Sequence, residues 1–138
     1  MLKRCLRLRA RSFAGMKVSQ AMTRAVRVAL PQHTIREAAV AMAALEVGAL
    51  PVCRSHRLIG VITTHDIALR GLAAGRSPET PVVEVMTREV RYCFEDEDLE
   101  QVVKDMEALG LRRLPVLDRS KRLVGILCVM PSPRLRHA

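Results

Sequence analysis

Val18-Ser19-Gln20-Ala21-Met22-Thr23-Arg24 and Val82-Val83-Glu84-Val85-Met86-Thr87-Arg88 are two versions of one stretch, set 64 positions apart. The same shift lays Leu50-Pro51-Val52 on Leu114-Pro115-Val116, and 12 of the 35 positions from 18 to 52 are identical. One extra residue in the turn after Val116 moves the shift to 65. Arg57-Leu58-Ile59-Gly60-Val61 then lies on Arg122-Leu123-Val124-Gly125-Ile126. This is a tandem duplication, and self-similarity at a fixed period dictates the architecture before any local reading does. One copy, at about 50–60 residues, would be marginal alone, so the two are expected to pack together.

Each copy reads alike. Thr34-Ile35-Arg36-Glu37 is a capping box, in which the Thr hydroxyl takes an orphan backbone N–H and Glu37 reaches back. Ile35, Ala38, Ala39, Met42 and Leu45 follow at helical spacing, and Leu99, Val102, Val103, Met106 and Leu109 repeat it behind a cap at Asp98. The methionines in these stripes are core filler. Ala49–Cys53 and Arg113–Leu117 read as short strands. Leu58–Thr63 and Leu123–Val129 are nearly continuous apolar runs that fit strands covered on both faces. Ile67-Ala68-Leu69-Arg70 and Leu72 suggest a closing helix ending near Gly75. The order per copy is β-α-β-β-α, an α+β arrangement.

Composition narrows the function classes. The net charge is +9, but Lys3, Arg4, Arg7, Arg9 and Arg11 stand without an acid in residues 1–16, and Arg134 and Arg136 sit in the tail. Residues 17–130 carry 16 basic against 14 acidic side chains, so the basicity belongs to the ends and a nucleic-acid or membrane-surface role is disfavoured. Aromatics are confined to Phe13, Tyr92 and Phe94, which weakens base stacking further. No apolar run reaches the ~18–20 residues of a membrane span. Cys5, Cys53, Cys93 and Cys128 are isolated, without zinc-ligand spacing, and read as reduced cysteines of a cytoplasmic protein. The Arg-rich start has the look of a transit peptide, but a flexible extension ahead of Met16 is the simpler reading.

Met-Thr, a capped helix, Gly48-Ala49-Leu50-Pro51-Val52, a polar turn and Arg57-Leu58-Ile59-Gly60-Val61-Ile62-Thr63-x-x-Asp66-Ile67 together resemble a cystathionine-β-synthase (CBS) domain. Two copies resemble the tandem CBS pair, or Bateman module. The expected division is a basic extension (1–16), repeat 1 (17–75), a linker (76–81), a truncated repeat 2 (82–130) and a basic tail (131–138). The resemblance implies a regulatory module that holds an adenosine-containing ligand (AMP, ADP, ATP or S-adenosylmethionine) in a cleft between the repeats. It also implies a homodimer.

Carried over residue by residue, the resemblance makes Asp66 the ribose ligand. A carboxylate accepts two vicinal hydroxyls well because it is charged. The alternative role for an Asp at this position is helix capping. Thr63 would be the accompanying hydroxyl, or simply a β-branched strand end. Val47, Ala49, Leu50 and Pro51, with Val26 from the segment after Met-Thr, would form an apolar slot for adenine, or merely core. Arg112 and Arg113 stand where basic residues of some family members hold phosphate, which the planar guanidinium suits. They could equally be a solvated pair. His65 would add a pH-sensitive contact, or be an exposed helix-start residue.

Copy two departs from the pattern. Cys128-Val129-Met130-Pro131 lies over Thr63-Thr64-His65-Asp66, without hydroxyl or carboxylate, and the prolines that follow forbid a normal closing helix. The Asp66 site is therefore the candidate, and the second is expected to be lost.

No nucleophile elbow, HExxH or glycine-rich phosphate loop is present, so no catalytic residues, metal or required cofactor are expected. Glu95-Asp96-Glu97-Asp98 reads as a helix cap favoured by the dipole rather than a metal site. The expected function is non-enzymatic adenine-nucleotide sensing on behalf of an unidentified partner protein. The alternative is a dimeric scaffold with a decayed nucleotide site.

Overall fold

A computed structural model of the 138-residue chain describes residues 6–7 and 13–130. In chain order the elements are β1 (Leu6–Arg7), α1 (Ile35–Leu45), β2 (Ala49–Arg54), β3 (Arg57–Thr63), α2 (Thr64–Asp66), β4 (Cys93–Phe94), α3 (Leu99–Leu109), β5 (Arg113–Leu117) and β6 (Leu123–Met130). The helix begun at α2 continues as a π-helix over Ile67–Leu72, and short 3₁₀ turns cover Val18–Gln20 and Val82–Glu84.

The chain forms two compact units: residues 27–90, and the residues before 27 together with those after 90. Each unit is therefore built from one repeat plus the opening Met-Thr segment of the other.

In the unit of residues 27–90, β2 and β3 form an antiparallel hairpin in which Leu50 faces Ile62 and Pro51 faces Val61. Ser55 and His56 both take positive φ, 52° and 69°, as the tight two-residue turn requires. Helix α1 starts as its sequence demands: Thr34 Oγ1 accepts from Glu37 N at 3.0 Å, and Glu37 Oε1 accepts from Thr34 N at 2.8 Å. Its buried stripe, Ile35, Ala38 and Met42, packs with Leu50, Val52, Ile62 and Val82. Val61 and Thr87 exchange two backbone hydrogen bonds of 2.9 Å, so Met86-Thr87 lies directly on β3. Gly60 permits this approach, because a Cβ there would stand 2.7 Å from the Thr87 carbonyl oxygen and 2.8 Å from Met86 Sδ.

The other unit repeats the design. Its sheet runs β1-β6-β5-β4, with β5 and β6 antiparallel and both outer pairings parallel. Asp98 caps α3 through Gln101 N, and Leu99, Val102 and Met106 fill the core with Leu114, Val116 and Leu127. Thr23 and Ile126 exchange backbone hydrogen bonds of 2.9 Å, and a Cβ on Gly125 would meet Met22 Sδ at 2.7 Å and the Thr23 carbonyl at 2.8 Å. The added turn residue shows in Lys121, which takes φ 67°.

Two features differ from expectation. Within the stretch read as a flexible extension, Leu6–Arg7 pairs with β6 and Phe13 is buried in the core, pairings that only the folded sheet brings about. Cys128 is disulfide-bonded, which corrects the expectation of four reduced cysteines; Cys53 and Cys93 are free and buried. Spacing along the chain did not reveal this, because β6 meets residues far away in sequence. In keeping with the expected loss of the helix-starting motif in copy two, β6 continues through Val129 and Met130, whose counterparts Thr64 and His65 have already turned into α2. Without a hydroxyl or carboxylate to cap a helix, the strand simply continues. The tail from 131 onward lies outside the described residues.

Candidate functional site

The end of β3 gathers the polar groups of the first unit. Thr63 caps the following helix: its Oγ1 accepts from Asp66 N at 2.9 Å, and Asp66 Oδ2 accepts from Thr63 N at 3.1 Å. Asp66 is 3% exposed, the one charged side chain in the buried set of the described residues. A buried carboxylate must be satisfied, and this one is. Thr87 Oγ1 donates toward both of its oxygens, at 3.1 and 3.2 Å. Arg70, one turn on, brings Nε to 3.9 Å from Oδ1 while its Nη1 donates to the Met86 carbonyl at 3.1 Å. The N-cap is thus Thr63, with Asp66 as the third helical residue that completes the capping box and is tied as well to the Met-Thr segment.

Arg70 stands in the π-helix, whose bonds run from Ala73 N to Ala68 O and from Arg76 N to Gly71 O. Such wide turns are rare and cluster at functional sites. Gly71 lets this helix lie on α1, since a Cβ there would come within 3.0 Å of Ile35 Cδ1. Beside it opens a depression of about 590 Å³ lined by Arg70, Arg76, Arg88 and Thr87 with Glu84 and Glu89. Arg76 is already paired with Glu84 at 2.9 Å.

The remaining site candidates fall in different places. Ala49 pairs with Thr63 across the hairpin and is exposed, whereas Leu50 and Pro51 are buried and Leu50 belongs to the core. Val47 is half-buried and lines an apolar recess of about 410 Å³ with Met42, Thr64, Ile67 and Leu72. His65 is exposed in the first helical turn. Val26, Arg112 and Arg113 belong to the other unit; Val26 is half-buried, and both arginine side chains are exposed.

Sequence reasoning passed over Thr87 and Arg70 as site residues. Thr87 could have been found from its place in the repeated Met-Thr, and Arg70 from its position four residues after Asp66. In the other unit the counterpart of Thr87 is Thr23, and the Asp is missing. Thr23 Oγ1 is buried with no hydrogen-bond partner among the described residues.

No group of three or more His, Cys, Asp or Glu that could hold a metal occurs among the described residues. The run Glu95–Asp98 is consumed by structure. Asp96 takes a two-pronged contact from Arg119, at 2.7 and 2.9 Å; Glu97 accepts from Phe94 N, and Asp98 caps α3. Burial pushes the Cys53 thiol up to about 11 and the Cys93 thiol, with Glu97 adding to it, up to about 12. Neither is a thiolate nucleophile at neutral pH. No helix among the described residues is long and apolar enough to cross a membrane.

The doubled β-α-β-β unit with its Thr-x-x-Asp corner has known counterparts. The sequence profile of the CBS domain matches residues 18–71 and 82–129, and the chain belongs to the CBS domain family. It is 41% identical to the CBS domain-containing protein YhcV of Bacillus subtilis over 112 residues, spanning 81% of this chain and 79% of that protein. Among solved structures it resembles CBSX2 in complex with AMP, with a TM-score of 0.71 and 26% identity over 83% of this chain and 90% of that one. It also resembles the CBS domain pair of protein MJ0100 in complex with 5-methylthioadenosine and S-adenosyl-L-methionine. There the TM-score is 0.67 and the identity 30%, over 82% of this chain and 89% of that one.

Proposed function

We propose that this chain is a non-enzymatic regulatory module that binds an adenosine-containing ligand at the Asp66 corner and passes the binding on to a partner protein. The observation that carries the reading is the buried Asp66 carboxylate, held at a strand–helix junction by Thr63, in a family two of whose similar structures hold adenosine compounds. A carboxylate in that setting is a strong acceptor for a ribose diol. Ligand candidates are AMP, ADP, ATP and S-adenosylmethionine. Regulation requires only that the ligand favour one arrangement of the protein over another.

Homodimer formation is part of the proposal. Val40 and Leu72 are each 64% exposed, and Leu72 borders the apolar recess on α1 and the π-helix. The same surface supports the second reading, a dimeric scaffold without a working nucleotide site, which the loss of the copy-two Asp favours. Cytoplasmic residence is also proposed. A Cys128 disulfide that persists in protein recovered from cells under thiol-trapping conditions would count against it.

The test is the melting temperature with and without millimolar AMP, ADP, ATP or S-adenosylmethionine, for wild type and Asp66→Asn. A ligand at 100 times its dissociation constant adds about 2.7 kcal/mol of stability. One ligand should raise the wild-type melting temperature and leave that of the variant unmoved. No shift with any of the four would favour the scaffold reading.

A further inference from the structure

Asp66 is closed from within. Its two oxygens face the Thr87 hydroxyl at 3.1 and 3.2 Å, Oδ2 also accepts from Thr63 N, and Arg70 flanks Oδ1 at 3.9 Å. A vicinal diol needs both oxygens at once, so it meets a group already standing in its place. We propose that Thr87 sets the affinity of the Asp66 site, its hydroxyl occupying the carboxylate as an intramolecular substitute for a ribose hydroxyl that an incoming cis-diol must displace. The inference rests on the reading of Asp66 as a ribose acceptor and adds what governs access to it.

Three observations converge on Thr87. Its backbone is fixed on β3 by the paired bonds to Val61, which brings the hydroxyl within reach of Asp66. Gly60, through its missing Cβ, allows the close approach that puts it there. In the other unit the counterpart segment Met22-Thr23 is held on β6 by the same backbone pairing, yet the Asp is gone and Thr23 Oγ1 is buried without a hydrogen-bond partner among the described residues. The backbone placement of the Met-Thr segment is thus a property of the repeat, and the Asp66 carboxylate gives the Thr87 hydroxyl its partner in the unit of residues 27–90. An unpaired hydroxyl in such a place is costly.

The competitor is one neutral donor on a charged acceptor, so removing it should free about a five- to tenfold gain in diol affinity. The experiment measures the dissociation constants of AMP and 2′-deoxyAMP by calorimetry for wild type, Thr87→Val and Thr87→Ser in the full chain. Thr87→Val should bind AMP about five- to tenfold more tightly and 2′-deoxyAMP with a smaller gain, because only the diol uses both released oxygens. Thr87→Ser, which keeps the hydroxyl, should return the affinity to the wild-type value. Thr87→Ala carries the same test should the valine branch fail to pack.

AMP binding to the hydroxyl-free variants that is equal to or weaker than wild type overturns the inference and leaves the nucleotide reading standing. An equal gain for the two ligands overturns it as well, since the gain would not come from the diol. Wild type and every variant failing to bind AMP at millimolar concentration overturns this inference, and the nucleotide reading falls with it if ADP, ATP and S-adenosylmethionine fail as well.

Discussion

Thr87 and Asp66, 21 residues apart, meet through one hydroxyl and both carboxylate oxygens at 3.1 and 3.2 Å. That contact joins the opening segment of the second repeat to the helix start of the first. It makes the candidate site a product of the duplication rather than of either copy. The hydroxyl of Thr23, without a hydrogen-bond partner among the described residues, marks where the equivalent contact is missing.

The glycines beneath the two Met-Thr segments should be the least replaceable small residues in the chain. A Cβ at Gly60 or Gly125 meets a backbone carbonyl at 2.7 or 2.8 Å, and backbone cannot swing aside as a side chain can. Gly60→Ala and Gly125→Ala are each expected to cost about 1–3 kcal/mol in urea unfolding. Gly60→Ala should also weaken any ligand held at Asp66, and Gly125→Ala should affect stability alone.

Helices α1 and α3 end with the same left-handed residue, filled differently. Gly110 takes φ 71° without strain, whereas Glu46, its counterpart, takes φ 57° with a side chain attached. Glu46→Gly should therefore stabilise the protein by about 1 kcal/mol, and Gly110→Ala should destabilise it by a similar amount. Denaturant midpoints compared at constant slope check both.

Stability should fall as the pH drops below the ordinary carboxylate range. The Thr34 backbone N–H bonded to Glu37 holds that carboxyl below its usual value, and the Arg119 guanidinium does the same for Asp96. A carboxylate whose folded value is depressed stabilises the protein above its unfolded value, and that contribution is lost as pH falls through the folded one. Both groups are exposed, so the effect is small. The double variant Glu37→Gln/Asp96→Asn should show a shallower loss of urea midpoint between pH 5 and pH 3 than wild type.

Cys53 and Cys93 should resist alkylation in the native state at pH 8. Burial keeps both thiols protonated, at about 11 and about 12, and shields them from the reagent. Mass spectrometry after brief iodoacetamide treatment should find both unmodified, and both labelled once the chain is denatured. Rapid native labelling of either would show that its unit opens readily.

Much of the fold was legible because the duplication wrote it twice. The caps at Thr34 and Asp98, the helical stripes behind them and the paired strands all stand where their periodicity put them. The exchange of Met-Thr segments between copies was not legible, because no local pattern says which β-strand a segment will join. For the same reason Thr87 escaped notice, although its own repeat was the first feature seen. Leu50 was a candidate for an adenine slot, and apolar patterning alone could not distinguish that role from the core position it takes. The wide winding over Ile67–Leu72 left no trace in an ordinary amphipathic pattern.

The central claim is that an adenosine compound is held at the Asp66 corner. Titrating AMP and then S-adenosylmethionine into ¹⁵N-labelled protein, with the amide signals followed residue by residue, tests it most directly. One of the two should move the signals of Thr63, Asp66 and Thr87 in a saturable way, and Asp66→Asn should abolish those changes. Signals at these three residues that stay fixed up to millimolar concentrations of both compounds would contradict the account.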